Sequence, residues 1–283
     1  MNIGIIGKGF VGSAVEYGFL SSPNIKYNIR IYDKKTHLRT HSLEDTVNES
    51  EIVFLSVPTP ANTNGSVNLN IIDQALNEIN FCTLGESIIL IRSTLIPGTT
   101  KMFQKKYPKI KMVFNPEFLT ERNADYDFVN QSRIILGGNI QLTSIVSQLY
   151  KLRFDNSIPI IETNFETAEM IKYMNNCFLA TKVSFMNEMK MISDKSGVDW
   201  DVAVNGFSLD KRVGDSHLDV PGHDGKLGFG GSCFPKDIQA LIHHAKSIGV
   251  DVDTLKGAWK TNLKVREEKD WEKLQGRAVI EKK

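Results

Sequence analysis

The chain contains a series of short apolar runs, rich in Ile, Val and Leu, that alternate with longer stretches of helical periodicity. The runs lie at residues 3–6, 29–32, 52–57, 88–91, 112–114, 134–136 and 158–161. Continuous apolar runs of this length are typical of strands buried on both faces, and the helical stretches between them suit crossover connections. The pattern therefore predicts an α/β fold with a parallel sheet up to about residue 160.

The periodicity changes after Glu162, where apolar residues begin to recur at helical spacing. Neither Pro nor Gly interrupts residues 167–196, so the sequence predicts one helix about 45 Å long. Helices of that length exceed the usual globular range and are typical of struts between domains or subunits. We predict an α/β domain at residues 1–164, an all-helical domain at 165–264 and a charged tail at 265–283.

Composition limits the partners and the location of the protein. Lys and Arg number 34 and Asp and Glu 33, so the formal charge is only +1, which disfavours nucleic acid and anionic membranes as partners. No apolar stretch approaches the roughly 20 residues of a membrane span, and no signal pattern opens the chain, so we expect a cytoplasmic protein. The cysteines are Cys82, Cys177 and Cys233, an odd set without metal-like spacing, and neither a disulfide nor a metal site is predicted.

A G-x-G-x-x-G motif follows the first predicted strand and opens a helical pattern. It is formed by Gly7, Gly9 and Gly12, with Phe10 and Val11 inside it. The glycines of such a motif permit a tight turn, the approach of a pyrophosphate and close helix-to-strand packing, while the helix N-terminus supplies amide donors. The motif in this setting predicts a Rossmann domain that binds a dinucleotide.

Asp33 ends the second predicted strand, about 20 residues after the glycines, where a carboxylate accepts the ribose hydroxyls and repels a 2′-phosphate. This arrangement favours NAD over NADP, and Lys34 next to it softens the preference. The open alternative is an α/β protein whose glycine turn binds no dinucleotide.

Cys233 is the candidate nucleophile. It follows a glycine-rich turn and precedes Pro235, a residue favoured in the first turn of a helix, so we expect its thiol at a helix N-terminus beside Lys236. Both features stabilise a thiolate. A thiol used together with NAD suggests oxidation of an aldehyde through a thioester. On these residues alone the alternative is a structural cysteine buried in a glycine-rich loop, while Cys82 and Cys177 are expected to be inert packing residues.

Further motifs occur in order along almost the whole chain. With Gly7 to Gly12 and Asp33, they are residues 57–60 (VPTP), 93–94 (ST), 97–99 (PGT), 115–119 (NPEFL), Glu121, Lys172, Asn176, 210–214 (DKRVG) and 228–237 (GFGGSCFPKD). This set resembles the UDP-glucose 6-dehydrogenase family, whose relatives include UDP-N-acetylmannosamine and GDP-mannose dehydrogenases. The resemblance implies four-electron oxidation of a sugar C6 alcohol to the carboxylate with two NAD and no metal. UDP-glucose to UDP-glucuronate, a precursor step for surface glycans, is the expected reaction.

The resemblance also implies a role for each matching residue. Cys233 would form a thiohemiacetal and then a thioester, and Glu117 would help water to hydrolyse it. Lys172 and Asn176, four residues apart on the long helix, would donate to the developing oxyanion. Asp237 would position or deprotonate a water during alcohol oxidation.

Cofactor and substrate contacts follow from the same resemblance. Thr94 and Glu121 would order the catalytic water and the nicotinamide end of the site. The implied cofactor-binding residues are Gly7, Gly9, Phe10, Val11, Gly12, Asp33, Lys34, Val57, Pro58, Thr59, Ser93, Thr94 and Glu121. The implied substrate-binding residues are Glu117, Phe118, Leu119, Lys172, Asn176, Arg212 and Gly230. Arg212 would reach the sugar site of a neighbouring subunit, in a homodimer built on the long helix.

Structural alternatives stand beside these roles. Without the resemblance, Lys172 and Asn176 would be interpreted as a solvated stripe, Glu117 as an acid at a helix start and Arg212 as a surface charge.

The chain departs from the family pattern at three places that concern substrate recognition. Only 46 residues follow Asp237, so we expect no room for the third α/β domain that holds the nucleotide in family members. Residues 223–227 (HDGKL) lengthen a loop before the glycine run, and Arg122 stands where many relatives have Gly. Two alternatives therefore stay open: a two-electron hydroxyacid or alcohol dehydrogenase of related fold, and a non-catalytic NAD-binding remnant or subunit.

Overall fold

The structure, a computed structural model, describes residues 1–281 and divides the chain into two compact units. The first unit contains Met1–Thr59 and Leu69–Lys172, and the second contains Pro60–Asn68 and the chain from Tyr173 onward. The sequence predicts the division at residue 164, whereas it falls inside the long helix. The first turns of that helix belong to the first unit because Ala168 packs into its core.

One seven-stranded sheet forms the centre of the first unit. Its strands are β1 (Asn2–Ile6), β2 (Asn28–Tyr32), β3 (Ile52–Leu55), β4 (Ile88–Ile91), β5 (Lys111–Phe114), β6 (Ile134–Gly138) and β7 (Ile160–Thr163), in the order β2-β1-β3-β4-β5-β6-β7. The predicted α/β fold is confirmed, and each predicted apolar run overlaps a strand. The expectation of a wholly parallel sheet is wrong at one pair, because β6 runs antiparallel to β5. The connection between them starts and ends at the same edge of the sheet, which forces the reversal.

Helices alternate with the strands up to β7, and the last four helices follow β7. They are α1 (Phe10–Leu20), α2 (Leu43–Asn48), α3 (Asn70–Cys82), α4 (Thr99–Lys106), α5 (Ala124–Val129), α6 (Ile140–Phe154), α7 (Phe165–Ser196), α8 (Trp200–Ser208), α9 (Phe234–Ser247) and α10 (Asp253–Val265). The predicted long helix is α7. Within residues 1–281, none of the helices combines the length and the apolar composition that a bilayer crossing requires.

Both faces of the sheet are buried, as the continuous apolar runs predict. Ile5 and Phe54 join a cluster on one face together with α1 and α6, while Val53 and Leu55 join the cluster on the other face together with α3. All four side chains are fully buried. Successive residues of a strand therefore pack against helices on opposite faces of the sheet. This packing holds the strand ends in place at the carboxyl edge of the sheet, where the loops begin.

The second unit consists of the rest of α7, helices α8 to α10, and the segment after α10. That segment includes a 3₁₀ helix at Asp270–Lys273, with Trp271 and Ala278 buried. Val279 forms a bridge with Ala61 of the loop Pro60–Asn68. The predicted charged tail, residues 265–283, is thus part of the second unit over its described residues, because its few apolar side chains pack there.

Candidate functional site

A glycine turn joins β1 to α1 in the first unit. A Cβ at Gly7 would lie 2.5 Å from the carbonyl oxygen of Ser56, and one at Gly12 would lie 2.1 Å from the carbonyl oxygen of Gly7. Gly9 is the N-cap of α1, and a Cβ there would meet no heavy atom within 4 Å among the described residues other than its chain neighbours. The turn therefore needs Gly7 and Gly12 for its own packing. At Gly9 it leaves open space beside the N-terminus of α1, as a pyrophosphate site requires.

Asp33 lies directly after β2 and next to this turn. Its carboxylate accepts hydrogen bonds from the backbone N–H of Lys8 at 2.7 Å and of Lys35 at 2.8 Å. A carboxylate has about four acceptor positions, so these two bonds leave capacity for ribose hydroxyls. The ammonium of Lys34 lies 3.6 Å from Glu78 Oε1, which offsets part of the positive charge near the site. These residues fit NAD.

Hydrogen bonds tie together the segments that follow β3 and β4. Ser93 Oγ donates to the carbonyl oxygen of Val57 at 2.6 Å, and Thr59 Oγ1 donates to that of Thr94 at 3.0 Å. Pro58 is exposed between them. The predicted cofactor residues of both segments thus lie at the carboxyl edge of the sheet, where open α/β sheets bind ligands.

Lys172 and Glu117 form a buried ion pair in the first unit. Lys172 Nζ donates to Glu117 Oε1 at 2.9 Å and also to the Glu117 carbonyl oxygen, and the two side chains are 3% and 6% exposed. Glu117 Oε2 accepts from the backbone N–H of Leu119 at 2.7 Å. The interpretation of Lys172 as a solvated surface residue is therefore wrong. Glu117 does not open a helix either, since the next helical turn is the 3₁₀ segment Glu121–Asn123.

The ring of Phe118 is contacted by two cations. The Arg133 guanidinium carbon lies 4.0 Å from the ring centroid, and Lys172 Nζ lies 5.3 Å from it. Burial lowers the pKa of Arg133. No sequence pattern singles out Arg133, because a single arginine just before a strand is not distinctive.

Cys233 is the N-cap of α9 in the second unit, and it is partly exposed. Pro235 occupies the first turn of the helix, as predicted, and Ser232 Oγ lies 3.7 Å from Cys233 Sγ. The ammonium of buried Lys236 donates to Asp237 Oδ1. Because Asp237 balances that charge, the expected electrostatic help from Lys236 is small, whereas the helix N-terminus beside the thiol is a feature that stabilises a thiolate.

Asp237 and Asn176 lie together in the second unit. Asn176 Nδ2 donates to Asp237 Oδ2 at 2.6 Å, and the two residues are 5% and 1% exposed, so Asn176 is not part of a solvated stripe. Cys177, next on α7, is buried, and burial followed by the negative charge of Asp237 raises its pKa. Burial likewise raises the pKa of Cys82. Neither thiol is suited to act as a nucleophile at neutral pH.

The remaining predicted substrate residues lie in loops of the second unit. Gly230 is packed so closely that a Cβ would lie 2.3 Å from Asp270 Oδ1. Arg212 is exposed, and its Nε donates to Asp210 Oδ1 at 2.9 Å. Its side chain is therefore on the surface of this chain, and its contribution to a neighbouring subunit stays a prediction.

Comparisons with known proteins place these features in a family. The model of the UDP-glucose/GDP-mannose dehydrogenase family, NAD binding domain, matches residues 26–153, and that of the same family's central domain matches residues 166–264. The second match covers α8, α9 and most of α10, and therefore the Cys233 segment.

Named relatives agree with the family models. UDP-glucose 6-dehydrogenase of Rickettsia bellii is 33% identical over 93% of this chain and 67% of its own length. UDP-glucose 6-dehydrogenase TuaD of Bacillus subtilis is 35% identical over 80% of this chain and 49% of its own length. The solved UDP-glucose dehydrogenase from Pyrobaculum islandicum has a TM-score of 0.80 at 26% identity, covering 92% of this chain and 67% of that one. The chain thus spans only about half to two thirds of these relatives, and it belongs to the UDP-glucose/GDP-mannose dehydrogenase family.

Proposed function

We propose that this chain oxidises the C6 alcohol of a nucleotide sugar to the carboxylate with NAD, and that it converts UDP-glucose to UDP-glucuronate. The observation that carries the proposal is the cluster at the start of α9. There the partly exposed thiol of Cys233 lies one helical turn before buried Asp237, which accepts a hydrogen bond from Asn176 of α7. Both relatives described above from Rickettsia and Bacillus carry the name UDP-glucose 6-dehydrogenase, which supports the choice of substrate.

NAD, when bound, accepts one hydride in each of two successive oxidations, so one alcohol and one water give a carboxylate and two NADH with release of protons. Cys233 acts at the aldehyde stage. Its thiolate sulfur bonds to the aldehyde carbon, and the aldehyde oxygen takes a proton, which gives a thiohemiacetal. Loss of a hydride from that carbon and of the hydroxyl proton leaves a thioester, and water then displaces the sulfur as thiolate, which gives the carboxylate and two protons.

Two buried polar pairs orient groups that the proposed reaction uses. Lys172 is held by Glu117 and Asn176 by Asp237, so both donors are preorganised for an oxygen that gains negative charge. Each oxygen of Glu117 already accepts one hydrogen bond and has capacity for another, which suits a carboxylate that activates water for thioester hydrolysis. Asp237 orders or deprotonates the water used in alcohol oxidation.

Three further residues keep the roles that the family pattern gives them. Thr94, at the carboxyl edge of the sheet, and Glu121, in the 3₁₀ turn that follows β5, order the catalytic water and the nicotinamide end of the site. Arg212 is exposed on its own chain and contributes to the sugar site of a neighbouring copy.

A homodimer through α7 is part of the proposal. Met174, Phe178 and Phe185 recur at helical spacing on this helix and are 63%, 64% and 46% exposed. Large apolar side chains exposed in a row are typical of a surface that a partner covers. Light scattering should give the mass of two chains, and Phe178→Glu should shift it to that of one chain.

Mass spectrometry of Cys233→Ser tests the proposed reaction. The variant is incubated with NAD and a panel of UDP- and GDP-sugars, and Cys82→Ser serves as the control for loss of an unrelated thiol. We expect the wild type and the control to form a carboxylate, and Cys233→Ser to accumulate the aldehyde or an ester on Ser. Normal carboxylate formation by Cys233→Ser would favour a dehydrogenase that needs no thiol. Tight NAD binding without turnover of any sugar nucleotide by the wild type would favour a non-catalytic subunit.

A further inference from the structure

Residues 228–231, here called the thiol strap, lead to Cys233 and are held by side chains from elsewhere in the second unit. The backbone N–H of Gly231 donates to Asp270 Oδ2 at 2.8 Å. The other oxygen of Asp270 accepts from Arg266 Nε at 2.9 Å, and Arg266 is 4% exposed. The end of the strap nearest the thiol is thus fixed to an ion pair between buried Arg266 and partly buried Asp270.

Asn262 holds the middle of the strap at two points. Its Oδ1 accepts from the backbone N–H of Phe229 at 2.7 Å, and its Nδ2 donates to the carbonyl oxygen of the same residue at 3.0 Å. Asn262 is fully buried on α10. On the α7 side, the backbone N–H of Gly228 donates to Asn187 Oδ1 at 3.1 Å. The buried amide of Asn262 thus satisfies both the backbone N–H and the carbonyl oxygen of Phe229, as a neighbouring strand would in a sheet.

The glycines of the strap are explained by these contacts. A Cβ at Gly228 would lie 2.4 Å from Asn262 Oδ1, and one at Gly230 would lie 2.3 Å from both Arg266 Nη2 and Asp270 Oδ1. Any side chain at these positions would push the strap away from the groups that hold it. The glycine run therefore permits close attachment of the backbone to these side chains.

The lengthened loop at residues 223–227 contributes to the same attachment. Arg266 Nη2 donates to Asp224 Oδ2 at 2.7 Å, so two carboxylates share one buried guanidinium. Burial works to raise the pKa of Asp270, but the hydrogen bonds from Arg266 and Gly231 outweigh it and hold the pKa below its usual range. Asp270 is therefore ionised at neutral pH and keeps its acceptor for the strap.

We propose that Asn262 and Asp270 are positioning residues that fix Cys233 through the thiol strap. This inference rests on the proposed function, in which the Cys233 sulfur must bond to a carbon held elsewhere. A misplacement of about 1 Å can cost about a hundredfold in rate. The thiol is needed at the aldehyde stage and not in the first oxidation, so a loosened strap slows the second oxidation more than the first.

The test compares Asn262→Ala and Asp270→Asn with the control Asp251→Asn. Asp251 is an exposed acid paired with Lys256 at 2.8 Å, so its replacement makes the same change in charge without touching the strap. We expect the strap variants to oxidise the aldehyde about 10- to 100-fold more slowly, to accumulate it, and to bind NAD within about twofold of the wild type. Hydrogen exchange in the peptide that covers residues 228–233 should be faster in both strap variants. The control should match the wild type throughout.

Two outcomes overturn the positioning role in an active enzyme: unchanged aldehyde oxidation, or equal losses in alcohol oxidation, aldehyde oxidation and NAD binding. A wild type without turnover would overturn the proposed function instead, and alkylation of Cys233 by iodoacetamide then tests the strap alone. We expect alkylation at pH 7 to slow by about threefold or more in both variants, because the sulfur leaves the N-terminus of α9. An equal or faster rate would contradict the inference.

Discussion

Asn176 Nδ2 donates to Asp237 Oδ2 at 2.6 Å, and the other oxygen of Asp237 accepts from Lys236. Both carboxylate oxygens are therefore engaged inside a buried cluster, and the orientation of the Asn176 amide is fixed by its partner. A donor that is already oriented needs no rearrangement when an adjacent oxygen becomes negative. This hydrogen bond links α9, the helix that begins at the Cys233 motif, to the long helix α7 within the second unit.

Replacing Asn176 by Ala tests this fixed donor. We expect the rate of sugar oxidation to fall by about 10²- to 10³-fold and the free energy of unfolding to fall by about 1–3 kcal/mol, because Asp237 loses a buried hydrogen bond. NADH formation and urea unfolding provide the two measurements. Asn205→Ala, at an exposed position of α8, should change neither quantity. An unchanged rate in Asn176→Ala would show that the amide has no catalytic role.

Because Lys172 and Glu117 form an ion pair, we expect the effects of replacing them on the free energy of unfolding to be strongly coupled. Lys172→Met leaves a buried carboxylate without its cation, so the free energy of unfolding should fall by about 3–5 kcal/mol. The double variant with Glu117→Gln should lose less than the sum of the two single variants, which urea unfolding of all four proteins will measure. Additive losses would contradict the pairing. All three variants should lose sugar oxidation.

Gly9 and Gly12 should respond differently to the same substitution. Gly12→Ala places a Cβ against the backbone of the turn, so we expect a lower melting temperature and loss of NAD binding. Gly9→Ala places it in open space beside the α1 N-terminus, so the melting temperature should stay near that of the wild type while NAD binding weakens. Calorimetry and fluorescence titration with NADH separate the two effects. Tight NADH binding by Gly9→Ala would exclude this turn as the pyrophosphate site.

Local sequence patterns predicted the elements of the fold well. The apolar runs identified seven strands, the uninterrupted period identified α7, and Pro235 marked the start of α9. The antiparallel pairing of β6 was not predictable, since strand direction depends on where a connection returns to the sheet and not on the residues of the strand.

The contacts around the thiol were predictable only in part. The motif pointed to Cys233, but the sequence did not show that Lys236 pairs with Asp237 or that Asp270 holds the strap. Asp270 and Gly231 are distant in sequence, so their contact depends on the fold. Lys236 could pair with any nearby acid, so the sequence does not show which acid it contacts. One available signal was Asn262, a polar residue on the same helical face as buried Ala258. A buried amide at an apolar position of a helix indicates a specific polar contact.

Glu169 predicts a pH dependence of stability. It is buried on α7 and accepts from the backbone N–H groups of Gly98 and Thr100, and burial raises its pKa to about 7 against the lowering effect of these bonds. In the unfolded chain a Glu side chain has a pKa of about 4.3. Between about pH 4.3 and 7 the folded state therefore holds a proton on Glu169 that the unfolded state has lost. The free energy of unfolding falls as the pH rises through that window.

Glu169→Gln removes this titration. From pH 5 to pH 8 the free energy of unfolding of the wild type should fall relative to that of the variant by about 1–3 kcal/mol, as urea unfolding across pH will measure. Glu166→Gln is the matched control on the same helix, because hydrogen bonding to Lys101 lowers the pKa of Glu166 and removes it from this window. A constant difference between Glu169→Gln and the wild type would contradict the prediction.

In the proposed reaction, Cys233 carries the sugar through a second oxidation. The most direct measurement is the number of NADH molecules formed per UDP-glucose consumed, followed by absorbance and by quantification of the remaining substrate. With UDP-glucose in large excess over enzyme, so that an ester stalled on Ser contributes little, we expect two for the wild type and about one for Cys233→Ser, with the aldehyde left behind. A ratio of one in the wild type, together with full activity in Cys233→Ser, would contradict the proposed reaction.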